Sequence, residues 1–304
     1  MRTPVTKTPY GILQTGYAHA QGIYGEGITV AVIDTGIFPH RDLQKRIIAN
    51  ADFLQRRKMP YDGNGHGTHI AGIIGSAGIA NGHYIGVAPK CSLVSIRILD
   101  GNGNGKIEYM LEGIHWILEN HKQYHIRIVN ISIGALEQVT KDRDEKLIRA
   151  VESLWDAGLV VIVAAGNRGP EKSSVTAPGT SPKVITVGAS DDYNSVYFHR
   201  RMRNNYSGRG PTKNCIVKPE IVAPGFNILS CRNSKNGYVT RSGTSMSTPF
   251  VSGAIALLLE RYPSMTNRDV KLALYQSATD LGLPKEQQGW GLLNIPALLN
   301  HTEA

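Results

Sequence analysis

The chain has little cysteine and no long apolar run, and each shortage excludes a class of protein. Its 304 residues contain three cysteines, Cys91, Cys215 and Cys231, an odd number without CxxC spacing. Neither a disulfide framework nor a zinc ribbon follows from that pattern, which suits a reducing compartment. No window approaches the roughly 18 uninterrupted apolar residues of a membrane-spanning helix. The opening MRTPVTKTPYGILQTGYAHAQG also lacks the roughly 7 to 15 residue apolar core of a signal peptide. HExxH spacing is missing around His66 and His69, so a zinc hydrolase is not indicated. The formal net charge is +9, partly from HRRMR at 199–203, but no aromatic stacking pattern or helix-turn-helix accompanies it. A solvated basic loop, or a docking surface for a protein, fits that run better than nucleic-acid binding.

What is present is an alternation. ITVAVID (28–34), SLVSIRIL (92–99), IRIVNISI (126–133), LVVIVAAG (159–166) and KVITVGA (183–189) are apolar enough for strands buried on both faces. Between them, 109–124 and 143–158 place apolar residues at helical spacing, the second closing on Gly158. The pattern predicts an α/β fold with a doubly wound, mostly parallel sheet flanked by helices. No repeat or low-complexity linker divides it, so one domain is expected over 1–304, with a short extension at 1–8 and a tail at 295–304.

Polar residues in such sheets gather at the carboxyl ends of the strands. Asp34 closes the first strand within VIDTG; His66 lies in GNGHGTHIAG, Asn167 in AAGN and Ser245 in GTSMSTP, before the apolar run Phe250 to Leu259. Singly, a serine before such a run is a helix cap and an aspartate at a strand end is a turn former. Together, in the order Asp, His, Ser with an amide donor between, they supply what serine acyl transfer needs. That is a nucleophile, a base, a carboxylate to orient the base, and donors for the oxyanion.

VIDTG, GHGTHIAG, AAGN and GTSMSTPFVSGA resemble the signatures of the subtilisin-like serine proteases, and the similarity runs from PYGI at 9–12 to GWGLLN at 289–294. The resemblance implies a serine endopeptidase acting through an acyl-enzyme. Asp34 would be the orienting carboxylate, His66 the general base and then acid, Ser245 the nucleophile, and Asn167 the oxyanion donor beside the Ser245 backbone N–H. It also implies that Gly103, Asn104 and Gly105 pair with an extended polypeptide substrate. Ser132, Ile133, Gly134, Ala164, Ala165 and Gly166 would wall the S1 pocket, and Ile107, Met110 and Ile133 would line an apolar S4 pocket. No cofactor is required for the chemistry and no metal takes part in it. A structural calcium at Asp42 is implied by PHRDL, although GSAGIANGHYIGVAP (75–89) departs from the usual calcium loop.

Two lures fall away. DGNGNGKIE at 100–108 opens like an EF-hand loop, but Leu111 stands where the bidentate glutamate belongs. An α/β-hydrolase esterase would need G-x-S-x-G and the order Ser, Asp, His, and both fail here. A non-enzymatic relative that binds a partner remains the alternative function. Only about eight residues precede PYGI, which leaves open a trimmed secreted form or a branch made without a signal peptide. YSGRGPT (206–212) and KPEIVAPG (218–225) are most similar to cytoplasmic bacterial subtilases, so the expected location is cytoplasmic, with polypeptide substrates and neither nucleic acid nor membrane as partner.

Overall fold

A computed structural model describes residues 8–80, 82, 85–133, 141–194, 196–198 and 201–300. The strands are β1 (Thr29–Asp34), β2 (Ile47–Asp52), β3 (Ser92–Arg97), β4 (Ile126–Ile131), β5 (Val160–Ala164), β6 (Ile185–Ala189), β7 (Val196–Phe198), β8 (Arg201–Arg203), β9 (Ile221–Ala223), β10 (Ile228–Cys231) and β11 (Tyr238–Arg241). The helices are α1 (Pro9–Ile12), α2 (Thr15–Ala20), α3 (His66–Gly75), α4 (Ile107–Asn120), α5 (Lys141–Asp156), α6 (Thr244–Arg261), α7 (Asn267–Ser277), α8 (Lys285–Gln288) and α9 (Ile295–Leu299).

Seven strands form one parallel sheet in the order β2-β3-β1-β4-β5-β6-β9, and two antiparallel hairpins, β7-β8 and β10-β11, stand apart from it. Every residue of β1, β5 and β6 is buried, which explains their unbroken β-branched sequences: both faces of the sheet are covered. The five expected strands form within a residue or two of the expected ends. The chain order reverses across β1, where β3 and β4 flank it, and a crevice opens at the carboxyl ends of such neighbours.

Helix α6 occupies the centre. It packs on α3 and across β4, β5, β6 and β9, and its residues from Thr244 to Leu259 are all buried. A helix apolar all round belongs in a core, and burying each of Phe250, Ile255, Leu257 and Leu258 contributes about 1.5–3 kcal/mol. Its close approach to the loop after α3 needs Gly253, since a Cβ there would stand 2.6 Å from Cβ of Val87. Gly253→Ala would therefore overpack this contact, a change that typically costs about 1–3 kcal/mol.

The tail expected from 295 is in part helix α9, with Ile295, Leu298 and Leu299 buried against α2, α6 and α7. Among the described residues, no helix is long and apolar enough to cross a membrane.

Candidate active site

Asp34 ends β1 with its side chain fully buried, and its Oδ1 accepts from the Thr35 backbone N–H at 2.8 Å and from His66 Nδ1 at 2.7 Å. A buried carboxylate facing one ring nitrogen selects the tautomer: Nδ1 carries the proton and Nε2 keeps its lone pair. The His66 side chain is 23% exposed, so the ring is partly open to solvent while the carboxylate behind it is not.

The glycines around His66 serve different ends. Gly65 precedes α3 with φ +88°, a left-handed conformation that L side chains rarely adopt. Gly67 is needed for room, because a Cβ there would collide with the Gly36 carbonyl oxygen.

Ser245 is the second residue of α6, entered through Gly243 at φ +139°. Pro249, inside the helix, has no N–H to give to the Ser245 carbonyl four residues back. The Ser245 hydroxyl donates to the Ser132 carbonyl at 2.8 Å, beyond the end of β4. That acceptor is itself held from α6: Asn130 Nδ2 donates to Ser132 Oγ at 2.8 Å, and Ser252 Oγ donates to Asn130 Oδ1 at 2.8 Å. Beyond β5, Asn167 Oδ1 accepts from the Thr244 backbone N–H at 3.0 Å and from Thr244 Oγ1 at 3.1 Å, while Gly166 N donates to Thr244 Oγ1 at 3.2 Å. These bonds orient the amide with its oxygen towards Thr244, which assigns donation to the nitrogen end.

Of the residues expected to meet substrate, Ser132 and Gly166 bond directly to the start of α6. Asp100 Oδ1 accepts from the backbone N–H groups of Asn102 and Asn104, at 2.8 and 2.9 Å, so the carboxylate shapes the loop bearing Gly103, Asn104 and Gly105 by turn chemistry. Asn64 Nδ2 ties that loop to the His66 segment by donating to the Gly101 carbonyl at 3.0 Å. Ile107, Met110 and Ile133 are buried apolar residues, as are Ala164 and Ala165. Gly134 lies outside the described residues, as do His199, Arg200 and the side chains of 201–203 in the basic run.

One residue escapes sequence reasoning. Asp62, 2% exposed, accepts five hydrogen bonds, from groups on Thr35, Asn64, Gly65 and Thr68. In YDGNGHG it reads as a turn former, and only its place four residues before His66 hints at more.

His69, one turn after His66, serves structure. Its Nε2 lies 2.9 Å from the Ile228 carbonyl and 3.1 Å from the Val239 carbonyl, clamping both strands of the β10-β11 hairpin to α3. Burial above all, helped by the charges of Arg241 and His66, lowers its pKa to about 3, so the ring is neutral at ordinary pH.

The surroundings of Asp42 do not fit a calcium ion. Ala80 N donates to its Oδ1 at 2.7 Å, and Ser76 Oγ and the Tyr238 hydroxyl donate to its Oδ2 at 2.7 and 2.6 Å. Calcium wants a cage of oxygen acceptors, whereas these neighbours present donors. Ligand-type atoms of His40, Asp42 and Cys231 do lie within 4.8 Å of one another. His40 Nδ1, however, accepts from the Asp42 backbone N–H at 3.1 Å, and burial raises the Cys231 thiol well above its usual range. The cluster is hydrogen-bonded and neutral at sulfur.

With this geometry in view, comparison with known proteins gives a consistent set of likenesses. The sequence profile of the subtilase family matches residues 25–291. Serine protease AprX of Bacillus subtilis (strain 168) is 42% identical over 281 residues, which cover 86% of this chain and 63% of AprX; the chain thus spans somewhat under two thirds of that relative. Subtilisin DY of Bacillus licheniformis is 35% identical, with 95% and 97% of the two chains covered. Among solved structures, a cold-adapted subtilisin-like serine proteinase superposes with a TM-score of 0.72 at 29% identity, covering 90% of each chain.

Proposed function

The chain belongs to the subtilase family, and from that premise we propose that it is a serine endopeptidase whose nucleophile is Ser245, acting as one catalytic domain. The observation that carries the residue assignment is the 2.7 Å bond from His66 Nδ1 to buried Asp34, and a serine in the first turn of α6 supports it. In the reaction the Ser245 hydroxyl turns from the Ser132 carbonyl to His66 Nε2, gives up its proton there, and attacks the scissile carbonyl carbon. Asp34 steadies the imidazolium and remains ionised. Charge developing on the carbonyl oxygen meets the Asn167 amide N–H and the Ser245 backbone N–H, the second favoured by its place in the first turn of a helix. The C–N bond breaks, His66 returns the proton to the departing amine, and water repeats the sequence on the acyl-enzyme.

The substrate is an extended polypeptide. Main-chain pairing with Gly103, Asn104 and Gly105 gives affinity, and side-chain pockets give preference. Ser132 and Ile133 with Ala164, Ala165 and Gly166 form the S1 walls, and Ile107, Met110 and Ile133 line the S4 pocket. The chemistry requires no cofactor. The free thiols of Cys91, Cys215 and Cys231 support a cytoplasmic location; activity found only outside the cell would oppose it.

Intact-mass labelling with a fluorophosphonate tests the assignment. One adduct per wild-type chain, absent from Ser245→Ala, is expected. A labelled Ser245→Ala, or a folded wild type that takes no label, overturns it.

A further inference from the structure

We propose that Asp62 is a positioning residue for this reaction: it locks the segment after Asp34 and the first turn of the His66 helix into one register. The proposal rests on the assignment of Asp34, His66 and Ser245 above.

Neither oxygen of the carboxylate is idle. Oδ1 accepts from Thr35 Oγ1 at 2.9 Å, Asn64 N at 3.0 Å and Gly65 N at 2.7 Å. Oδ2 accepts from Thr68 N at 2.9 Å and Thr68 Oγ1 at 2.5 Å. Thr35 Oγ1 in turn accepts from Gly67 N at 2.9 Å.

The need for this arrangement follows from Gly65. Helix α3 begins at His66, and its first N–H groups lack partners within the helix. A capping serine or aspartate would ordinarily serve them, but the left-handed backbone at Gly65 favours glycine, which has no side chain. The duty passes elsewhere: His66 N donates to Asn64 Oδ1 at 3.2 Å, Gly67 N to Thr35, and Thr68 N to Asp62. A negative charge at this end also suits the helix dipole.

Asp62 therefore reinforces a junction that is otherwise made by His66 Nδ1 to Asp34, Gly67 N to Thr35 Oγ1 and Phe38 N to Thr68 Oγ1. Its turn reaches the other two segments as well. Asn64, held through its N–H, binds the Gly101 carbonyl of the substrate-pairing loop. Arg241 Nη2, at the end of β11 and four residues before Ser245, donates to the Asn64 carbonyl at 3.2 Å. Asn233 Nδ2 donates to the Asp62 carbonyl at 3.2 Å. One buried carboxylate thus sits where the strand of the orienting acid, the helix of the base, the substrate loop and the hairpin before the nucleophile converge.

Asp62→Asn keeps the shape and removes the acceptor capacity of one of the two oxygens. Three donors face one oxygen and two face the other, so either amide orientation sets an NH2 group against at least two donors. The catalytic histidine then loses its register. Misplacement on the scale of 1 Å costs about 10²-fold in rate, and binding of substrate need not change. The expected result is kcat reduced about 10²-fold with KM held within about twofold. Phosphonylation of Ser245 should slow in parallel. The low-field proton resonance of the Nδ1–H shared by His66 and Asp34 should shift or vanish, a signature that looser packing elsewhere would not produce.

Thr35→Ala, which removes one donor to Asp62 and the acceptor of Gly67 N, is the second variant. It should lower kcat about tenfold, with recovery in Thr35→Ser. Should Asp62→Asn fail to fold, the threonine pair decides the matter: loss with recovery supports the proposal, and unchanged kcat in Thr35→Ala overturns it. A folded Asp62→Asn with unaltered kcat and resonance also overturns it. Labelling the wild type alongside separates two failures. An unlabelled wild type removes the triad assignment and this proposal with it, whereas a labelled wild type with an unaffected Asp62→Asn removes this proposal alone.

Discussion

Truncating Asn167 to alanine tests the oxyanion assignment through two numbers that should part company. The amide oxygen accepts two bonds from Thr244, at 3.0 and 3.1 Å, and Asn167 is half-buried, so water can reach the donors that truncation strands. The stability cost then falls near the low end of the usual range, about 1–2 kcal/mol. At about 2–4 °C per kcal/mol, Tm drops by roughly 2–8 °C and the variant remains folded at assay temperature. The kinetic cost is larger. For oxyanion-hole asparagines of this family, loss of the amide lowers kcat about 10²- to 10³-fold, or about 3–4 kcal/mol of transition-state stabilisation. KM should barely move, because the N–H group meets charge that appears only as the tetrahedral intermediate forms. Initial rates on a peptide p-nitroanilide, normalised by active-site titration and accompanied by a melting curve, give all three quantities. A KM increase at constant kcat would place Asn167 in ground-state binding, and a kcat loss under threefold would remove it from the oxyanion site.

Three further outcomes are expected. His69 is neutral in the folded protein down to about pH 3, against an ordinary value of 6.5, so the unfolded chain takes up a proton first as pH falls and stability is lost through that window. From pH 7 to pH 4 the wild type should lose about 3 kcal/mol more than His69→Gln in urea titrations; parallel losses would refute the buried clamp. Because donors already satisfy Asp42, Asp42→Asn should leave the response of Tm to EDTA the same as in the wild type, whereas Tyr238→Phe should cost about 1–3 kcal/mol; a chelator response present in the wild type and lost in Asp42→Asn would contradict this. A peptide library varied at P4 should favour apolar side chains, matching buried Ile107, Met110 and Ile133, and a preference for acidic residues would refute that pocket.

Much of the sheet was legible because its central strands are buried on both faces, as in VVIVA of β5. Edge elements were not. In β2, IIANAD, only Asp52 is fully buried, so neither a continuous apolar run nor a clear alternation marks it, and β9 has only three residues. The site was legible where chemistry dictates residue type, at Asp34, His66, Asn167 and Ser245. It was illegible where a common turn residue does uncommon work. Asp62 looks like any aspartate in a glycine-rich loop until the fold brings Thr35 and Thr68 to it. Asp42 shows the reverse, where a motif suggesting an ion is answered by three hydrogen-bond donors from two segments distant in sequence.

The strand order carries a consequence for the order of events during synthesis. Asp34 and His66 are 32 residues apart and emerge early, but the Ser245 hydroxyl, on a helix threaded against five strands of the sheet, rests on a carbonyl 113 residues before it. Contacts this remote in sequence close late, because the loop entropy of the intervening chain must be overcome first. The blade is therefore fitted last: while most of the polypeptide is still unfolded and open to cleavage, there is no assembled centre to cut it.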